Sequence, residues 1–141
     1  MNDLSVTKWV AVLAVVLMGC GEGLEGNPDG GGSSSTVKAS DCTVSATIEE
    51  VGTTGSKSGR ASGSITCPAS ATLEISVCIQ SSMTMTFTDG MCAEGSGTNS
   101  TIARSTDARF AGTRNVRSIV RGKVNGVDLA DKTSNVISIT P

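Results

Sequence analysis

Residues 42–49 (CTVSATIE) and 61–67 (ASGSITC) carry the pattern that decides the fold. Cys42, Val44, Ala46 and Ile48 alternate with Thr43, Ser45, Thr47 and Glu49, and a period of two marks a strand with one buried face. Ala61, Gly63, Ile65 and Cys67 alternate in the same way with Ser62, Ser64 and Thr66. The intervening 52–59 (GTTGSKSG) is built of turn residues. The hairpin register that sets Ile48 opposite Ala61 also sets Val44 opposite Ile65 and Cys42 opposite Cys67. Both apolar sets then share a face, which a slip of one residue would destroy.

Working outward, Leu73, Ile75, Val77 and Ile79 form the apolar face of a strand over 72–80, with Glu74, Ser76 and Cys78 on the other side. Pro68 to Ala71 reads as the turn before it, and 94–100 (EGSGTNS) as a loop. Met83, Met85 and Phe87 alternate with threonines ahead of an Asp89-Gly90 turn signal, and a short strand is expected near 101–104. Residues 110–124 read as one long strand or two, bent at Gly112, with Val116, Ser118, Val120, Gly122 and Val124 on one face. Asn125-Gly126 is a turn signal, and Ile137 and Ile139 point inward from a last strand. The fold class is therefore all-β: a small antiparallel β-sandwich of about seven strands over 41–141. In architecture it resembles the Ig-like modules of secreted bacterial proteins.

The other end of the chain places the protein. The apolar run 9–18 (WVAVLAVVLM) closes in Leu17-Met18-Gly19-Cys20, and it is about half the roughly 20 residues that a spanning helix needs. A cysteine directly after a small residue, with leucine three positions before it, resembles the lipobox of bacterial lipoproteins. The resemblance implies a signal peptide over 1–19, cleavage ahead of Cys20, and a lipid thioether on Cys20. An added amide-linked chain makes such anchoring stable. Gly21, where an inner-membrane lipoprotein tends to carry Asp, implies the outer membrane. Residues 21–40 (GEGLEGNPDGGGSSSTVKAS) are a Gly/Ser-rich tether with a reach of roughly 25 Å.

With Cys20 lipidated, Cys42, Cys67, Cys78 and Cys92 form an even set in an oxidising compartment. Of three connectivities, the hairpin register favours Cys42–Cys67, which leaves Cys78–Cys92. Zinc is disfavoured, because the spacings lack a CxxC pair and the chain has no histidine.

Composition narrows the chemistry further. Tyr and His are absent, and mature Phe is limited to Phe87 and Phe110. General acid–base and triad catalysis lose their usual residues, so no catalytic residue is assigned and a non-enzymatic binding, adhesion or structural module is expected. Stacking surfaces for nucleic acid or sugar are missing too. Ser35-Thr-Val-Lys38 matches S-x-x-K but lies in the tether, and 52–58 lacks true phosphate-loop spacing. Net charge is −2, with nine acidic and three basic residues over 20–100, against three acidic and seven basic over 101–141. The readings that remain are few. Arg117, Arg121 and Lys123 share a strand face as an anionic-ligand surface, or as an ordinary solvated face. Asp128 and Asp131, in the 126–134 loop, offer a calcium or ligand site. Glu49, Glu50 and Glu74 are the carboxylates of an alternative small envelope hydrolase. No metal and no cofactor is expected beyond the lipid, and the expected partners are the membrane and a protein at the cell surface.

Overall fold

The structure, a computed structural model, describes residues 36–141. The expected signal peptide, Cys20 and most of the expected tether lie outside the described residues. Seven antiparallel strands follow a short 3-10 turn at Ala39–Asp41: β1 (Thr43–Val51), β2 (Ser58–Ser82), β3 (Thr88–Arg109), β4 (Arg114–Val124), β5 (Val127–Asp128), β6 (Lys132–Thr133) and β7 (Ile137–Ile139). The hairpin stands in its expected register, with Val44 paired to Ile65 and Ile48 to Ala61. Both disulfides, Cys42–Cys67 and Cys78–Cys92, are formed. Among the described residues, no helix is long and apolar enough to cross a membrane.

Two layers arise from one bent ribbon. β2 pairs with β3 along nearly its whole length, while its other edge meets β1 in the first half and β4 in the second. Between these halves the β2–β3 register shifts: Thr66 faces Thr101, yet Ala71 faces Asn99. Cys67 to Ser70 thus sit against Ser100 alone, and surplus residues on one strand bend a ribbon. Pro68, which has no N–H to give a ladder, falls in this bulge. The segment read as a turn is therefore a bend within a continuous strand. The expected 94–100 loop is likewise part of β3. Conversely, Met83 to Phe87 leave the sheet and form the β2–β3 connection.

The bend folds the ribbon over a core of aliphatic side chains. Ala61, Ile65, Leu73, Val77, Val116, Val120 and Ile139 are fully or almost fully buried. Two glycines let the layers close on one another. A Cβ on Gly63 would lie 2.2 Å from Val120 Cγ2, and one on Gly122 would lie 2.4 Å from Ile65 Cδ1. Ser118 is buried between the layers, its N–H donating to Ser134 Oγ at 2.9 Å. Val37 joins the core, so packing begins ahead of the boundary expected at 41. Asn125, at φ 51°, holds that end: its Nδ2 donates to the Val37 carbonyl at 3.0 Å and its Oδ1 accepts from the Thr72 N–H at 3.0 Å. With Gly126 at φ 80°, it makes the turn that its sequence announces.

Candidate functional site

The outer face of β4 gathers most of the charged side chains that the sequence singles out. Arg117, Arg121 and Lys123 alternate along it, and β4 pairs Arg117 with Gln80, Arg121 with Ser76 and Lys123 with Glu74. Their charges do not stand alone. Arg117 stacks 4.2 Å over the Phe87 ring, and its Nε donates to Gln80 Oε1 at 2.7 Å. Gln80 Nε2 donates in turn to Asp89 Oδ1 at 2.6 Å. Asp89 Oδ2 accepts from Arg121 Nη1 at 2.8 Å, and Arg121 Nε reaches Asp131 Oδ2 at 3.3 Å. Lys123 lies 3.7 Å from Asp128. The two loop carboxylates thus meet Arg121 and Lys123, so two separate sequence candidates share one face and offset part of each other's charge.

Hydrogen bonds from Arg121 and then from Gln80 hold the Asp89 carboxyl below its ordinary range, against a smaller opposing effect of burial. The same contact raises the Arg121 guanidinium. A carboxylate lowered in the folded state stabilises the fold above its unfolded pKa of about 3.9, and that contribution disappears as pH falls through the folded value. Asp89→Asn is therefore expected to weaken the protein at pH 7 and to narrow the gap to the parent below about pH 4. Urea unfolding of both proteins from pH 7 to pH 2 checks this. A gap that stays constant down to pH 2 would contradict it.

Arg121, Lys123, Asp128 and Asp131 also line a depression of about 720 Å³, together with Glu74 and Glu94 among others. Glu74 pairs with Ser96, and Ser76 with Glu94, across the β2–β3 ladder. The carboxylates of the hydrolase alternative do not converge here. Glu49 lies 3.8 Å from Arg60 and Glu50 2.9 Å from Lys57, both near the β1–β2 hairpin, whereas Glu74 sits on the opposite layer. Among the described residues, no group of three or more His, Cys, Asp or Glu is arranged to hold a metal ion. Gly52 and Gly55, both at positive φ, shape the 52–58 stretch as a hairpin turn.

Sequence reasoning missed Gln80, Asp89 and Phe87 as members of the network. Asp89-Gly90 reads as a turn, and nothing local shows that β3 has already begun at Thr88. The signal that existed was the β4 cations themselves, which need counter-charges from a neighbouring strand.

No family model and no curated protein matches the sequence. Among solved structures, the X-ray structure of Northeast Structural Genomics Consortium target SoR45 aligns with 73% of this chain and 89% of that chain. The identity is 6% and the TM-score 0.38, a likeness too slight to carry an inference.

Proposed function

We propose that this protein is a cell-envelope lipoprotein, tethered to the outer membrane through Cys20, whose disulfide-stapled β domain acts by contact and not by catalysis. The observation that carries this reading is the pairing of all four cysteines among the described residues. Pairing of this kind belongs to an oxidising, extracytoplasmic compartment. It leaves Cys20, directly after Leu17-Met18-Gly19, as the odd cysteine, placed for lipid. The tether separates the domain from the headgroups and leaves its faces free to meet a protein partner at the surface.

Intact mass of the membrane-extracted protein, before and after reduction, tests the proposal. The expected product begins at Cys20, carries acyl mass there, and gains four hydrogens on reduction of its two disulfides. Retention of residues 1–19, or an unacylated protein released into the medium, would refute the anchoring.

A further inference from the structure

We propose that Met83 and Met85 form a binding site for a soft monovalent cation, Cu(I) or Ag(I). The two residues stand on the β2–β3 connection, at the far end of the sheet from Val37, where the chain enters the fold. Their relative exposures are 69% and 75%. Methionine is ordinarily a core residue, so two of them exposed on one short turn ask for a ligand.

Chemistry narrows that ligand. Thioether sulfur is a soft donor that favours Cu(I) and offers little to calcium, magnesium or other oxygen-seeking ions. The cysteines that would outcompete it are oxidised among the described residues, and the chain has no histidine. A thioether needs no deprotonation and survives where thiols pair, so it suits a soft cation in an oxidising compartment. The turn has local structure of its own. Buried Ser82 accepts a hydrogen bond from the Thr84 N–H at 3.1 Å, and Met85 is held at φ 75°, which side-chain-bearing residues seldom adopt. Two residues along a chain, the Cα atoms are at most about 7 Å apart, within reach of two unbranched side chains sharing one ion. Phe87, the neighbouring apolar group, is engaged with Arg117, which counts against a purely apolar docking patch.

The test is titration of the full chain carrying Cys20→Ser, so that no free thiol competes, with Ag(I) in chloride-free buffer, followed by the methionine methyl NMR signals, and then with Cu(I) under anaerobic conditions against a competing chelator. Met83 and Met85 should shift together and saturate at one ion per chain. Met91, 60% exposed but alone on β3, is the internal control and should not follow them. Met83→Leu with Met85→Leu keeps apolar bulk and removes the sulfur, and should weaken Ag(I) and Cu(I) binding by about tenfold or more. Equal shifts at Met91, failure to saturate, or full affinity in the double leucine variant would overturn the site.

Discussion

Removing the Cys42–Cys67 bridge by Cys42→Ser with Cys67→Ser is expected to lower the unfolding free energy by about 3.5 kcal/mol, and removing Cys78–Cys92 by about 3 kcal/mol. The sequence separations are 25 and 14, so the first closes the larger loop in the unfolded chain and restrains it more. Native contacts change little on removal. Cys78 and Cys92 are already register partners in the β2–β3 ladder, and Cys42 and Cys67 continue the β1–β2 register by one step. The gain therefore arises in the unfolded ensemble. The core has small reserves to offset such losses. Among the described residues it contains no fully buried aromatic side chain, its largest fully buried members being isoleucine, leucine and valine. A domain of this size has about 5–15 kcal/mol in all, so losing both bridges removes a large share of its stability. Urea unfolding of the two double variants and of the reduced protein measures these terms. Losses below about 1 kcal/mol for each pair would show that the aliphatic core suffices alone.

The parts of the fold that were legible in the sequence are those where one face of a strand is buried and the other wet. β1 and the first half of β2 alternate cleanly, and their mutual register follows from that alternation; in β4 the inward face could be read, but not its partner. The bulge at Cys67–Ser70 and the long β3 were not legible. Hydrophobic periodicity reports burial and not hydrogen bonding. β3 occupies an edge where its inward positions, Ala93, Gly95 and Gly97, face Val77, Ile75 and Leu73 and need no bulk of their own. Its Gly- and Ser-rich letters therefore imitate a loop. Arg117, Arg121 and Lys123 could be placed on a common face from spacing alone. The pairing of Arg121 with Asp89 and Asp131, and of Lys123 with Asp128, depends on strand neighbours that no local pattern specifies. The methionine pair was visible only as a continuation of alternation, because exposure is a property of the finished fold.

Gly122→Ala is expected to cost about 2 kcal/mol, an overpacking penalty of up to roughly 3 kcal/mol reduced by the smaller conformational entropy of alanine in the unfolded chain. The added methyl would stand 2.4 Å from Ile65 Cδ1 and 2.7 Å from the Glu74 carbonyl oxygen. The isoleucine tip can rotate, but Glu74 belongs to the strand hydrogen-bonded to β4, and its backbone cannot retreat without breaking the ladder. Gly63→Ala should cost a similar amount, about 2 kcal/mol, for a different reason: its methyl meets Val120 Cγ2 at 2.2 Å, with the Ser45 carbonyl and Val77 close behind at 3.1 Å. Here the main obstacle is a side chain, so trimming it should help. Combined with Val120→Ala, Gly63→Ala should cost at least about 1 kcal/mol less than the two separate losses added together, the coupling expected of residues sharing one space. Gly97→Ala is the control. Its methyl would meet only the movable Asn99 amide at 3.1 Å, and stability should hold within about 0.5 kcal/mol. Chemical unfolding of the parent and of these five variants, Val120→Ala alone among them, decides the matter. If Gly63→Ala and Gly122→Ala prove as harmless as Gly97→Ala, the layers do not close on each other at these two glycines.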